Sequence, residues 1–231
     1  MEENILSILI AIPARGGSKR LPRKNILPLN GKPMIVYTIE AAQKANITNN
    51  IWVCTEDDEI ADVSKRAGAK VYRIPNNMAK DDVSSTVPCL ALASYLQKKG
   101  KILEYIINLQ PTSPLRNGED IILSIKTMKK NKADFLVSVT EIDPHYFHWA
   151  MIEREDKWQM YFGNKYMKER IYLENAYRPN GAIKLAQTKQ LINNGNFFGN
   201  NLTVYNMPEE RSIHVGMDFD FKCAEGLLKW Q

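Results

Sequence analysis

Strand-like and helix-like segments alternate from residue 5 to residue 140, and this alternation restricts the possible folds more than any other feature. Short runs rich in Ile, Val and Leu are followed by longer segments whose apolar residues recur with helical spacing. The predicted strands are 5–12, 51–55, 70–73, 105–109 and 134–140, and the predicted helices are 33–46, 58–67, 84–99 and 118–131. Repeated strand–helix–strand units of this length predict an α/β fold with a Rossmann-like, mostly parallel sheet and helices on both faces.

The pattern changes after residue 140. Residues 141–176 contain many aromatic and charged side chains but no convincing strand–helix–strand unit. The rings must be buried either against a partner subunit or in a hairpin packed on the same subunit, and the sequence leaves both open. Strands at 181–185 and 202–207 and a helix at 218–230 complete the prediction. We expect a single domain spanning residues 1–231, with 141–176 as a candidate dimerisation insertion.

The composition excludes several classes of protein. A chain of 231 residues suits one α/β domain with a sizeable core. The net charge of +5 is small and much of it lies between residues 15 and 24, which disfavours a nucleic-acid-binding protein and favours a small anionic substrate. The apolar runs are shorter than the roughly 20 residues that cross a bilayer. Glu2 and Glu3 stand where a signal peptide would carry positive charge, so we expect a cytoplasmic protein without a membrane partner.

The three cysteines are far apart in sequence and form no Cys-x-x-Cys pair. Cys54 falls in a predicted strand and Cys89 in a predicted helix, both apolar. These surroundings predict buried, reduced thiols rather than a zinc site or a disulfide framework.

A glycine pair and several cations follow the first predicted strand. Residues 12–25 have the sequence IPARGGSKRLPRKN, in which Gly16 and Gly17 allow close approach of a ligand to free main-chain N–H donors. Arg15 and Lys24 suit the oxygens of a polyphosphate, whereas Lys19, Arg20 and Arg23 are expected to be solvated. Open α/β sheets bind ligands at the carboxyl ends of their strands. This segment therefore predicts a nucleoside triphosphate site rather than a solvated basic turn, although it matches neither the dinucleotide fingerprint nor the Walker pattern.

Three motifs carry a resemblance to a known family. They are IPARGGSKRLPRKN at 12–25, LQPTSPLR at 109–116 and YRPNGAI at 177–183. In this order they resemble the acylneuraminate cytidylyltransferases, also called CMP-sialic acid synthetases, over nearly the whole chain. The resemblance implies a nucleotidyltransferase fold of the GT-A-like type, with 141–176 reaching towards a neighbouring subunit of a homodimer. It also implies that CTP and a nine-carbon α-keto acid sugar react, with Mg²⁺ as cofactor, to give a CMP-sugar and pyrophosphate.

The resemblance also assigns roles to individual residues. Those implied to bind the nucleotide are Ala14, Arg15, Gly16, Gly17, Lys24, Asn25, Arg73 and Ser85, and those implied to bind the acceptor sugar are Gln110, Thr112, Ser113, Arg170, Asn180, Phe197 and Phe198. Arg15, Lys24 and Arg170 are the candidate catalytic residues, with Arg170 binding the carboxylate of the sugar. From the residues alone, Ser84 or Ser85 equally suits a helix cap, Arg170 a surface charge and the phenylalanines a core.

The chain departs from the family's pattern at several positions. Family members usually have magnesium-binding aspartates where this chain has His214 and Gly216. Asp218 and Asp220 are tentative magnesium ligands or, alternatively, caps of the last helix. Lys184 replaces a usual tyrosine near the expected sugar site, and the arginine expected directly before Pro75 stands one residue earlier, as Arg73.

These departures leave the identity of the acid open. They also keep two alternatives: a nucleotidyltransferase acting on another sugar, and a CTP-binding homologue with impaired catalysis.

Overall fold

The structure is a computed structural model that describes residues 7–230, and it contains a seven-stranded sheet with helices on both faces. The strands are β1 (Ile8–Pro13), β2 (Pro28–Leu29), β3 (Lys32–Pro33), β4 (Ile51–Thr55), β5 (Lys70–Arg73), β6 (Tyr105–Asn108), β7 (Phe135–Ile142), β8 (Met151–Arg154), β9 (Lys157–Met160), β10 (Ala176–Gln187) and β11 (Leu202–Asn206). The helices are α1 (Met34–Ala45), α2 (Asp58–Arg66), α3 (Thr86–Lys98), α4 (Gly118–Lys130), α5 (Pro144–His148), α6 (Thr188–Asn194) and α7 (Asp218–Trp230). The predicted α/β fold with a mostly parallel sheet is confirmed.

The strand order of the main sheet is β11-β7-β10-β6-β1-β4-β5. All neighbouring strands are parallel except β10, which is antiparallel to both β6 and β7. Consecutive residues of β1 point to opposite faces of the sheet, and both faces are covered. Ile10 packs into a core with residues of α1, α2 and α4, whereas Leu9 packs into a second core with residues of α3 and α6. Burial on both sides explains why β1 is a continuous apolar run.

Most predicted elements agree with the structure to within two residues. The strands at 51–55 and 70–73 and the helix at 218–230 agree at both ends, while the predicted strand residues 5 and 6 lie outside the described part of the chain. The main errors are α6, which was not predicted, and β10, which begins five residues before the predicted strand at 181. Its sequence includes Pro179 and Gly181, which indicate a turn, and the pairing with β7 shifts register between Pro179 and Lys184.

The predicted insertion differs at its ends from the observed one. Because β7 runs to Ile142 and β10 starts at Ala176, residues 141, 142 and 176 belong to the main sheet, and the insertion itself spans 143–175. It contains α5, the two-stranded hairpin β8–β9 and two short 3₁₀ turns. Tyr146, Trp158 and Tyr172 are 81%, 63% and 71% exposed, so the insertion does not bury these rings on its own chain.

The thiol prediction is confirmed for two cysteines. Cys54 and Cys89 are free and fully buried, and Cys223 is free and partly exposed. Burial raises the pKa of the Cys89 thiol to about 12. Within residues 7–230, no helix is both long enough and apolar enough to cross a membrane.

Candidate active site

A cleft with a volume of about 160 Å³ lies at the carboxyl ends of β1, β4 and β6. It is bounded by the segment after β1, the turn between β5 and α3, and the segment after β6, as expected for an open α/β sheet. The lining residues are Pro13, Ala14, Arg15, Ser18, Lys24, Asn25, Cys54, Ile74, Met78, Lys80, Val83, Ser84, Ser85, Pro88, Gln110, Pro111 and Thr112. Seven of the predicted site residues are therefore brought together in one cleft. Lys80 also lines it and was not predicted, although it stands one residue before the acidic pair at 81 and 82.

The glycine pair differs from the prediction in one respect. The N–H of Gly16 donates to Oε1 of Glu56 at 2.8 Å, so this donor is already occupied and not free for a ligand. Gly17 is exposed and has open space around it. Asn25 is buried, and its Nδ2 donates to the carbonyl oxygen of Arg15 at 2.8 Å, which holds the glycine segment against the residues that follow it.

Space, not backbone conformation, requires glycine at position 16. Neither Gly16 nor Gly17 has a positive φ. A Cβ on Gly16 would lie 2.4 Å from Oδ2 of Asp57, and that carboxylate is fixed by Arg23 and by the N–H of Ile60.

We expect Gly16→Ala to lower the free energy of unfolding by about 1–3 kcal/mol because of this overpacking. Gly17→Ala is the matched control, since no atom lies within 4 Å of its added Cβ, and it should change stability by less than about 0.5 kcal/mol. Urea unfolding of both variants measures the difference. Equal stability of the two variants would contradict the packing argument.

Arg15 and Lys24 have different electrostatic environments. Arg15 forms an ion pair with Asp81 at 2.6 Å, and Lys19 contacts the other oxygen of the same carboxylate at 2.7 Å. These contacts, that of Lys19 first, lower the pKa of Asp81. Lys24 is half-buried and has no ion pair with any residue in 7–230. Burial, followed by the charges of Arg20 and Arg15, lowers the pKa of Lys24. The cleft thus holds one cation that a carboxylate neutralises and, beside it, Lys24, which forms no ion pair with a described residue and whose charge only the more distant Asp220 favours.

Arg23 and Arg73 both bind the start of α2. The guanidinium of Arg23 donates to both oxygens of Asp57, at 2.5 and 2.9 Å, and these hydrogen bonds raise the pKa of Arg23. The expectation that Arg23 is a solvated charge was therefore wrong. Arg73 donates to the carbonyl oxygens of Asp57 and Glu56, at 2.8 and 2.5 Å, and does not line the cleft. Arg73, which was predicted to bind the nucleotide, therefore binds main-chain groups at the N-terminal end of α2.

Ser85 lines the cleft at the start of α3. Its Oγ accepts a hydrogen bond from Nδ2 of Asn108 at 3.1 Å and does not cap the helix. Ser84 Oγ instead accepts from the N–H of Thr86 at 3.3 Å, which decides between the two predicted caps. Oδ1 of Asn108 is buried without a hydrogen-bond partner in the described chain.

Gln110, Thr112 and His214 meet at the other side of the cleft. Oγ1 of Thr112 lies 3.4 Å from Oε1 of Gln110 and 3.4 Å from Nδ1 of His214. His214 retains an exposed edge, but its desolvation, together with the charges of Lys24, Lys184 and Arg178, lowers its pKa. Gly181, at φ 74°, makes room here, since a Cβ on it would lie 2.9 Å from Nδ1 of His214.

A buried arginine supports this side of the cleft, and its role was not predicted from the sequence. Arg116 is 2% exposed, and its Nη1 donates to the carbonyl oxygens of Ala182 and Gln110 at 3.1 and 3.4 Å. Burial lowers the pKa of Arg116 to about 10. Ser113 is also fully buried and does not line the cleft, although it was predicted to bind the acceptor sugar.

Several other predicted acceptor residues lie away from the cleft. Asn180 is buried, accepts hydrogen bonds from Ser138 Oγ and the N–H of Ala182, and donates to Ser212 Oγ, so its amide is engaged in the protein interior. Phe197 is 1% exposed and belongs to the core beside α6, whereas Phe198 is half-exposed. The alternative prediction of core packing is therefore correct for Phe197 but not for Phe198.

Arg170 does not enter the cleft of its own chain. It lies in the insertion, its side chain is 60% exposed, and its Nη1 is 3.9 Å from Oδ2 of Asp143. It borders a separate groove of about 830 Å³ between the insertion and the main sheet.

The two tentative magnesium ligands have other partners. Asp218 pairs with Lys222 at 2.6 Å, one turn along α7. Oδ2 of Asp220 accepts from the N–H groups of Gly216 and Met217, at 2.8 and 2.9 Å, in a helix-capping arrangement. In the described chain, no group of three or more His, Cys, Asp or Glu side chains is arranged to hold a metal ion. Mg²⁺ favours several oxygen ligands, so these residues do not fit a magnesium site built by the protein.

Comparisons with known proteins agree with the geometry of the cleft. A family model described as cytidylyltransferase matches residues 9–216. This chain belongs to the cytidylyltransferase family. The resemblance found in the three motifs, and the prediction of a nucleotidyltransferase enzyme, are thereby confirmed.

Relatives and a solved structure extend the comparison. The chain is 31% identical over 223 residues to a pseudaminic acid cytidylyltransferase of Campylobacter jejuni, with 96% of each chain covered. It is 32% identical over 225 residues to N-acylneuraminate cytidylyltransferase A of Danio rerio, but 93% of this chain spans only about half, 49%, of that relative. A CMP:2-keto-3-deoxy-manno-octonic acid synthetase complexed with CTP superposes with a TM-score of 0.73 at 18% identity, covering 96% of this cytidylyltransferase and 98% of that chain. At this identity, the last similarity shows the fold alone.

Proposed function

We propose that this cytidylyltransferase activates a nine-carbon α-keto acid sugar of the sialic, legionaminic or pseudaminic type with CTP, giving the CMP-sugar and pyrophosphate. The observation that carries the proposal is the cleft itself, where Arg15 and Lys24 line the space at the carboxyl end of β1 together with Ser85 and Gln110. The names of the relatives from Campylobacter jejuni and Danio rerio support an acid of this class.

The proposed reaction is a displacement at the α-phosphorus of CTP. The anomeric hydroxyl of the sugar attacks this phosphorus, its proton leaves to solvent, and the bond to the pyrophosphate group breaks. Negative charge on the transferring and leaving oxygens increases in the transition state, and fixed cations such as Arg15 and Lys24 stabilise it. Because Arg15 and Asp81 form an ion pair in the structure, the triphosphate must displace Asp81 in order to bind Arg15.

We place Mg²⁺ with the substrate. Because His214 and Gly216 supply no carboxylate where the family usually has aspartates, we propose that CTP enters as its magnesium complex, with phosphate oxygens and water as ligands. The ion offsets part of the triphosphate charge.

We further propose a homodimer formed through the insertion at 143–175. The exposed Tyr146, Trp158 and Tyr172 supply the aromatic surface that such an interface favours. Arg170 lies on the same insertion, outside its own cleft, so its proposed contact with the acid would be made in the neighbouring subunit. The proposal needs no nucleic-acid or membrane partner and agrees with the expected cytoplasmic location.

One panel of assays tests the proposed function. Pyrophosphate release is measured with CTP, Mg²⁺ and each of the three types of acid, and with sugar 1-phosphates as alternative acceptors. We expect release with at least one acid and none with the sugar 1-phosphates. Release only with a sugar 1-phosphate would replace the proposal with a nucleotidyltransferase for another sugar.

A second candidate function is a CTP-binding protein without turnover, and the specific observation that favours it is the pair His214 and Gly216. Calorimetry with CTP separates this candidate from the first. Binding of CTP without product from any acceptor supports the binding protein, and absence of CTP binding contradicts both.

A further inference from the structure

Lys184 is a half-buried lysine on the antiparallel strand β10. In the sheet it lies directly opposite Asn108 of β6, and residues directly opposite each other project from the same face. Asn108 donates to Ser85 Oγ, which lines the cleft. Lys184 therefore projects from the sheet face that carries α3 and the Ser85 side of the cleft.

The other neighbours of Lys184 connect it to the Gln110 side. Gly181, three residues earlier on β10, is close enough to the cleft that a Cβ on it would lie 3.7 Å from Oε1 of Gln110. The positive charge of Lys184 also contributes to the lowered pKa of His214, which contacts Thr112. The ammonium group is thus near enough to His214 to act on its charge, and Lys184 projects from the same face of the sheet as Asn108.

Lys184 has no partner of opposite charge among residues 7–230. Its Nζ lies 6.0 Å from the centre of the half-exposed Phe198 ring. Burial lowers the pKa of Lys184, which shows that its charge is held at a cost in free energy. An anion that enters this place would offset that cost.

The position of Arg170 strengthens the case for a second anion-binding residue. Arg170 contacts Asp143 and faces the groove beside the insertion, whereas Lys184 lies on the central sheet, opposite Asn108. A single chain therefore offers Lys184, without the insertion of a neighbour, for an acidic acceptor.

We propose that Lys184 binds the carboxylate of the acceptor sugar acid, with the exposed face of Phe198 packing against the sugar. This inference rests on the proposed function and names a residue that determines which acceptor the enzyme uses. Lys184 is a positioning and binding group for the ground state and is not required to bind CTP.

The test compares two acceptors and two variants. The acceptors are an acid that the wild-type protein uses and its methyl ester, which keeps the anomeric hydroxyl but loses the negative charge. The variants are Lys184→Met, which keeps a similar stem, and Lys184→Arg, which keeps the charge. The readouts are kcat and KM for each acceptor, and CTP affinity by calorimetry.

We expect Lys184→Met to lower kcat/KM for the acid by about 10–100-fold through KM, with CTP affinity and the ester reaction unchanged, because a charge-assisted hydrogen bond is lost. Lys184→Arg should retain most of the preference for the acid. An unchanged KM in Lys184→Met, or an equal loss for acid and ester, overturns the inference.

The failure of the proposed function gives a different result from the failure of this inference. If the wild-type protein binds CTP but uses no acid, the proposed function fails and the inference fails with it. If the wild type uses an acid and Arg170→Ala alone raises its KM, the function stands and the carboxylate contact belongs to the insertion.

Discussion

Lys24→Met is expected to lower kcat/KM for CTP by about 10²–10³-fold, the usual effect of removing one fixed group that stabilises transition-state charge. Lys24 lines the cleft, is half-buried and forms no ion pair with a described residue. The lowered pKa of its ammonium group, caused first by burial, indicates that the folded protein alone does not favour this charge. The triphosphate would supply the missing partner.

The same argument predicts the effect on stability. Replacing an unfavourably placed cation with an apolar side chain of similar length should leave the free energy of unfolding unchanged or raise it. A variant that loses activity without losing stability would separate a role in binding from a role in folding. Steady-state kinetics with varied CTP, together with urea unfolding, measures both quantities.

Lys19→Met is the matched control. Lys19 belongs to the same segment, but its side chain is 83% exposed and its partner is Asp81 at 2.7 Å. Exposed ion pairs contribute little, so kcat/KM should fall by no more than about fivefold. If Lys19→Met loses as much activity as Lys24→Met, the cations at residues 15–24 act only through their total charge, and the proposal of a specific role for Lys24 is wrong.

Asp120→Ala is expected to reduce the free energy of unfolding by about 3–5 kcal/mol, since it removes a buried carboxylate that accepts several hydrogen bonds and pairs with the partly exposed Arg211. Asp120 is fully buried near the start of α4 and binds Arg211 through two hydrogen bonds of 2.8 and 3.1 Å. It also accepts from the hydroxyl of Tyr205 and from the N–H of Asn117. Burial and the carboxylate of Asp120 raise the pKa of the Tyr205 hydroxyl to about 12.

This cluster joins α4 to β11 and to the turn that leads to His214. The expected loss is a large fraction of the roughly 5–15 kcal/mol that stabilises a typical domain. Urea unfolding monitored by circular dichroism gives the value. Asp62→Ala is the control, because the side chain of Asp62 is 64% exposed and its contact with Lys65 is 3.7 Å, so we expect a change below about 0.5 kcal/mol. Similar losses in both variants would show that Asp120 and Arg211 do not form the stabilising unit.

Local pattern was sufficient to predict the parallel core of the fold and the place of the cleft. Strands buried on both faces require continuous apolar runs, and the intervening helices require helical spacing, so β1, β4 and β6 could be recognised from short windows. The glycines and cations after β1, and the polar residues after β6, could likewise be placed at one edge because parallel strands end together. Arg15, Lys24, Ser85, Gln110 and Thr112 meet there.

Contacts between residues distant in sequence decided the rest. Arg23 resembles its solvated neighbours until α2 brings Asp57 to it, and Asn180 resembles a ligand-binding amide until Ser138 and Ser212 engage it inside the protein. The antiparallel course of β10 places Lys184 opposite Asn108. A short stretch of sequence shows which side chains are able to bind a ligand and where strands and helices alternate. The hydrogen-bond partner of a polar side chain depends instead on the order of the strands and on which distant polar groups the fold brings to it.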